Sequence, residues 1–259
     1  MITAVTVPGQ VDDLSTLDTA EVAFTGAGGQ TIDGYLAAPT DGAGNPGLIV
    51  IHEAMGLNEH IRDVARRFAA LGYTALAPDL YTREGAPPED FPKVMAAIQA
   101  VPDERAVGDL EGAAEFVRAW PGASGKVGCI GFCSGGRHAL LFACSGDSLD
   151  AAVDCWGGNV LRASKDADTT PERPVPVIDM IDRLSCPLYV VVGAEDQNPS
   201  RADAERLRER LSAAGKVFHI DVYDGAGHAF FADYRPTYRE KPAQRMWDEV
   251  TAFFAERLH

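Results

Sequence analysis

The sequence predicts an α/β chain, with a mostly parallel sheet and helices on both of its faces. Three observations carry this reading. Short apolar runs of strand length recur at 48–51, 73–77, 126–130, 151–155, 188–192 and 217–223. Segments with helical periodicity separate most of them, and strand–helix alternation is the mark of parallel crossovers. The runs are continuous rather than interleaved with polar residues, as in strands covered on both faces. With 259 residues, 46% of them hydrophobic, the chain suits one large domain with a sizeable core. No internal repeat or linker divides it. The expected division is a loosely packed polar arm over residues 1–20 and a single domain over 21–259.

The elements follow in order. Residues 21–25 and 31–38 flank Gly26-Ala27-Gly28-Gly29 and read as an antiparallel hairpin. Leu48-Ile49-Val50-Ile51 is a buried strand, followed by the loop His52-Glu53-Ala54-Met55-Gly56-Leu57-Asn58. Asn58 suits the cap of a helix over 59–71, whose Ile61, Val64, Ala65 and Phe68 share one face, and Gly72 ends it. After the strand at 73–77, helices are expected near 91–100 and 103–120. The strand at 126–130 leads into a tight turn and a helix ending at Ala143. A strand at 151–155 closes on Trp156-Gly157-Gly158. Residues 159–177 are a polar, Pro-rich excursion that overhangs the strand ends. The strands at 188–192 and 217–223 bracket a helix over 201–214, and a final helix is expected over 242–258.

Composition narrows the partners. A formal net charge of −15 argues against nucleic acid or an anionic membrane surface, although a locally basic pocket can still take an anionic substrate. No stretch approaches the roughly 18 apolar residues of a membrane span. Residues 1–17 lack the basic start and apolar core of a signal peptide. Cysteines at 129, 133, 144, 155 and 186 show neither disulfide nor zinc spacing. No HExxH or carboxylate cluster supports a metal. The expectation is a reducing, cytoplasmic enzyme without cofactor or metal, a monomer or homodimer, acting on a small molecule.

The chain is organised around Gly131-Phe132-Cys133-Ser134-Gly135. Strand, Gly-x-nucleophile-x-Gly, helix is the pattern of a nucleophile elbow, in which a strained central residue is exposed above the sheet. The following helix points its N-terminal amides at that side chain and favours negative charge there. Cysteine takes the central place. A thiol that attacks a carbonyl needs a base, and the base needs an orienting group. Cys133, Asp196 and His228 occur in the order nucleophile, acid, histidine, each in the loop after an expected strand. Read one at a time, Asp196 also suits the cap of the helix starting near Ser200, Glu195 is an alternative acid, and His228 also suits a plain surface turn. Glu53 ends a strand expected beside the elbow, so its carboxylate should face the thiol. The backbone N–H groups of Ser134 and Ala54 are the expected oxyanion hole.

At these residues the sequence resembles the dienelactone hydrolase (carboxymethylenebutenolidase) family of the α/β-hydrolase superfamily. The matching stretches are Ile49-Val50-Ile51-His52-Glu53 with Gly56, Ala77-Pro78-Asp79-Leu80-Tyr81, Lys126-Val127-Gly128 with the elbow and Gly136, Gly193-Ala194-Glu195-Asp196, and Gly225-Ala226-Gly227-His228-Ala229-Phe230. They run from about residue 20 to the end. The resemblance implies a single-domain α/β-hydrolase fold and a Cys133–His228–Asp196 triad. It also implies that Glu53 takes the thiol proton only when substrate binds. The implied reaction opens dienelactone to maleylacetate through a thioester acyl-enzyme, in the breakdown of catechols. Two arginines hold the substrate carboxylate in the family. Arg83 matches the first; the second position is Ala232 here, with Arg235 nearby. Tyr81, Trp156 and Phe230 complete the expected substrate surface. Other readings are a cysteine esterase or lactonase of different specificity, a non-catalytic binding module on the same scaffold, and a redox thiol protein using Cys133.

Overall fold

A computed structural model describes residues 7–85 and 90–259 of the chain. The strands are β1 (Leu17–Thr25), β2 (Thr31–Pro39), β3 (Asn45–Ile51), β4 (Thr74–Pro78), β5 (Ala123–Phe132), β6 (Ala151–Cys155), β7 (Leu188–Gly193) and β8 (Phe218–Tyr223). The α-helices are α1 (Glu59–Ala69), α2 (Phe91–Ala100), α3 (Asp103–Arg118), α4 (Ser134–Ala143), α5 (Arg201–Ala213) and α6 (Glu240–Leu258). The strands form one sheet in the order β1-β2-β4-β3-β5-β6-β7-β8. β1 and β2 form the expected antiparallel hairpin, β2 pairs antiparallel with β4, and the pairings from β4 through β8 are parallel. Strand order reverses around β3, and the crevice at the carboxyl ends of β3 and β5 is where an open α/β sheet builds a site.

The continuous apolar runs are explained by the two layers. Side chains alternate across a strand, so Leu48 and Val50 enter one core with α1 and α6, while Ile49 and Ile51 enter the other with α3, α4 and α5. Tyr189 and Val191 repeat the division against Leu188, Val190 and Val192. Both faces of the inner strands are therefore dry, while β1 at the edge is largely exposed. Among the described residues no helix is long and apolar enough to cross a membrane.

The ends of the helices follow local chemistry. Asn58 caps α1 by accepting from the Ile61 N–H at 3.1 Å. Ser200 and Asp203 form a reciprocal capping box on α5. That removes the capping role considered for Asp196.

Two expectations change. The arm is pinned rather than loose from residue 7 onward. Gly9 lies so close to Trp247 that a Cβ would fall 2.4 Å from the indole, and Arg67 Nη1 donates to the Pro8 carbonyl at 3.2 Å. β1 begins at Leu17 rather than at residue 21. The excursion over 159–177 is anchored by buried Arg173, which donates to Ala163 O at 3.1 Å and to Ile98 O, near the end of α2, at 2.7 Å.

Candidate active site

The elbow forms because two glycines allow it. A Cβ on Gly131 would sit 1.9 Å from Gly135 O, and one on Gly135 would sit 2.4 Å from Ile51 O. Their absence lets α4 start directly off β5 and press against the end of β3. Between them Cys133 takes φ 56° and ψ −117°, a conformation that costs a side-chain-bearing residue about 1–3 kcal/mol. The β5–β6 pairing continues into the turn, where the Cys133 N–H donates to Cys155 O at 3.0 Å. Cys133 is half-buried, whereas Cys129, Cys144, Cys155 and Cys186 are buried and unpaired. Burial pushes the Cys144 and Cys186 thiols up to about 12, which makes them inert as nucleophiles.

The loops after β5, β7 and β8 bring Cys133, Asp196 and His228 together. His228 Nδ1 lies 2.7 Å from Asp196 Oδ2. The other oxygen, Oδ1, accepts from the Asn198 N–H at 2.9 Å, so the carboxylate is held on both sides while 6% exposed. With Nδ1 turned to Asp196, Nε2 is the nitrogen left for the thiol. Burial works against an imidazolium here. The hydrogen bonds and charges of Asp196 and Cys133 outweigh it and push His228 up to about 10. Ala229, the next residue, is held at φ 58°, so the turn that delivers the imidazole is also strained.

Ser134 is the first residue of α4, and its N–H therefore has no acceptor within its own helix. Ala54 lies in the loop after β3. Tyr81 fixes this loop by donating its hydroxyl to Ala54 O at 3.3 Å. Burial and the neighbouring Cys133 push the Tyr81 phenol up, so it stays a donor. His52 is a strut. Its Nε2 accepts from the Leu80 N–H at 3.1 Å, which leaves Nδ1 to donate to Glu53 O at 2.7 Å.

Glu53 does not take the expected pose. Its Oε1 accepts from Arg235 Nη2 at 2.5 Å and from the Tyr234 hydroxyl. Arg235, proposed from its proximity in sequence, pairs with Glu53. Tyr234 was missed. It precedes Arg235 directly, but no spacing or periodicity singles out one tyrosine in a loop.

Three expected substrate residues are placed elsewhere. Arg83 gives its guanidinium to Asp109, at 2.6 and 2.9 Å, and to Ala27 O at 3.2 Å. It neutralises a carboxylate that is 1% exposed, so its charge is committed to the fold. Trp156 and Phe230 are 1% and 0% exposed. Their rings pack together at 4.9 Å, with Phe132 at 5.7 Å from the indole. They back the elbow and the histidine turn from inside the core and present no surface to a ligand. Among the described residues no cluster of three or more His, Cys, Asp or Glu side chains is arranged to hold a metal.

Comparison with known proteins places the chain in a family. Residues 32–258 match the dienelactone hydrolase family. A Methylorubrum extorquens protein named "Putative carboxymethylenebutenolidase" is 36% identical over 229 residues, covering 87% of this chain and 77% of that protein. An Escherichia coli K12 protein of the same name is 37% identical over 232 residues, covering 88% and 83%. The crystal structure of a "Putative Dienelactone Hydrolase" from Klebsiella pneumoniae superimposes with a TM-score of 0.86 at 34% identity, covering 93% of this chain and 99% of that one. With its fold and an ordered match over nearly its whole length, the chain belongs to the dienelactone hydrolase family, a family of hydrolases within the α/β-hydrolase superfamily.

Proposed function

We propose that the protein opens an enol lactone, or cleaves a small ester, that carries a carboxylate, by attack of the Cys133 sulfur through a thioester acyl-enzyme. The observation that supports this most is the meeting of three distant segments: His228 Nδ1 on Asp196 Oδ2 at 2.7 Å, with Cys133 near enough to the same ring to push its pKa up.

The chemistry follows from the contacts. The thiolate sulfur adds to the substrate carbonyl, and the resulting oxyanion sits between the N–H groups of Ser134 and Ala54. Collapse breaks the carbonyl carbon–oxygen bond. In an enol lactone the departing oxygen is an enolate, a good leaving group, so a soft nucleophile of modest basicity suffices. His228 gives that oxygen, or the carbon of the enolate, a proton and then takes one from the water that hydrolyses the thioester. Asp196 keeps Nδ1 protonated and the ring aimed. Arg235 is the cation for the substrate carboxylate. When that carboxylate takes the guanidinium, Glu53 is released to accept the thiol proton, so activation is tied to binding.

The test uses dienelactone and p-nitrophenyl acetate. Turnover of at least one is expected, with loss of activity in Cys133→Ala and a much weaker Cys133→Ser variant. No turnover of either, or activity that survives Cys133→Ala, sinks the reading.

A further inference from the structure

We propose that Asn198 is a positioning residue: through a reciprocal amide pair with Asn159 it holds the Asp196 carboxylate on His228 and ties the acid's loop to the elbow helix. This rests on the hydrolase reading above and adds to it the device that aligns the triad.

The hydrogen-bond directions carry the argument. Asp196 uses Oδ2 for His228, and its Oδ1 accepts from the Asn198 N–H at 2.9 Å. The Asn198 side chain is bound to the loop after β6 instead. A backbone N–H only donates, so the Asn159 N–H, at 3.0 Å, fixes Oδ1 as the end of the amide that faces it. Nδ2 is then left to donate to Asn159 Oδ1 at 3.3 Å. The two residues thus close a clasp of two hydrogen bonds. Asn198 is exposed, so the amide pair rather than burial fixes the peptide whose N–H grips Asp196.

The far half of the clasp is itself anchored. The Gly157 N–H donates to Asp154 Oδ1 at 2.7 Å, and Asp154 is 1% exposed. A Cβ on Gly158 would fall 2.9 Å from Asn198 Nδ2, so the two loops close on each other only where no side chain intervenes. Asn159 takes φ 57°, a left-handed conformation that asparagine tolerates better than most residues. Its carbonyl accepts from Arg137 Nε at 3.3 Å. Arg137 lies in the first turn of α4. Its N–H donates to Cys133 O at 3.2 Å, and its Nη atoms hold buried Asp103 at 2.6 and 2.9 Å. An unbroken run of hydrogen bonds therefore joins the residue that carries the sulfur to the acid: Cys133, Arg137, Asn159, Asn198, Asp196.

A double-mutant cycle separates alignment from general loosening. Asn198→Ala is expected to lower kcat roughly tenfold on whichever of dienelactone and p-nitrophenyl acetate the protein turns over, with KM within about twofold, since two neutral hydrogen bonds are lost and no substrate contact. Asn159→Gly keeps the backbone N–H and suits φ 57°, so only the bond to Oδ1 goes and the loss falls to about threefold. Alkylation of Cys133 by iodoacetamide between about pH 7 and 9 slows in Asn198→Ala, because a loosened Asp196 gives less support to the imidazolium and so to the thiolate. In an Asp196→Ala background the same Asn198→Ala substitution changes neither kcat nor alkylation further. Equal effects with and without Asp196, or an Asn198→Ala protein indistinguishable from wild type in both assays, overturn the clasp. If the wild type turns over neither compound, the hydrolase reading fails. Alkylation needs no turnover and still decides on Asn198: slowing that depends on Asp196 upholds its role, and unchanged rates overturn it.

Discussion

Asp196→Asn tests the triad most directly. The carboxylate accepts on both oxygens, from His228 Nδ1–H at 2.7 Å and from Asn198 N–H at 2.9 Å. An amide has one acceptor and one donor end. In either orientation the asparagine sets its NH2 against one of these two N–H groups, inside a site that is 6% exposed. If the NH2 faces His228, the ring turns or loses its proton, and the imidazolium is no longer aimed at the sulfur. The expected loss is about 10³- to 10⁴-fold in kcat, the scale of the same exchange in other nucleophile–His–Asp sites. The unpaired donor should also cost about 1–3 kcal/mol of stability.

The pH dependence has a definite sign. His228 stands at about 10 in the folded protein against 6.5 as a free group. Its contribution to stability is therefore complete below about pH 6.5 and is lost as pH rises through about 10. Removing the Asp196 charge lowers the pH at which His228 gives up its proton. Cys133 alkylation by iodoacetamide between about pH 7 and 9 should then slow in the variant, because the imidazolium that stabilises a thiolate is gone. A kcat within tenfold of wild type, or superimposable alkylation profiles, would refute the assignment of Asp196.

Two further substitutions separate structure from chemistry. Gly135→Ala places a Cβ 2.4 Å from Ile51 O and 2.5 Å from His52 O, both backbone atoms. Urea denaturation should show a loss of about 3 kcal/mol, the upper part of the overpacking range, and normal stability would mean that α4 does not press on β3 as described. Arg83→Met leaves Asp109 charged and unpaired while 1% exposed. A loss of about 3–5 kcal/mol is expected, with KM for dienelactone unchanged wherever the variant is folded. The opposite pattern, unchanged stability and a raised KM, would restore Arg83 as a substrate ligand.

These cases show what a linear sequence can and cannot carry. The inner strands were legible because burial on both faces leaves unbroken apolar runs, and the hairpin of β1 and β2 from the Gly-rich turn between them. The elbow was legible from Gly131 and Gly135, whose lack of a Cβ is a local requirement. Trp156 and Phe230 flank the site in sequence, yet face the core shared with Phe132. Nothing within a short window tells which way a ring after a strand end will turn.

The two arginines make the same point through charge. Arg83 sits in the matching motif, but its guanidinium is taken by Asp109 on α3, which pairs with no other cation among the described residues. A buried carboxylate takes the nearest guanidinium because leaving it unpaired costs several kcal/mol. Arg235 lies outside the expected spacing. It is nevertheless free for the site, because its acceptor is Glu53, a group that can exchange it for a substrate carboxylate. Whether an arginine serves fold or substrate is thus decided by what its counter-ion can do when the arginine leaves. Asp109 and Glu53 are both buried, at 1% and 4% exposed, but the guanidinium on Glu53 is the more open of the two, at 29% against 17%. Spacing identifies the residue type, and only the partner's freedom assigns the role.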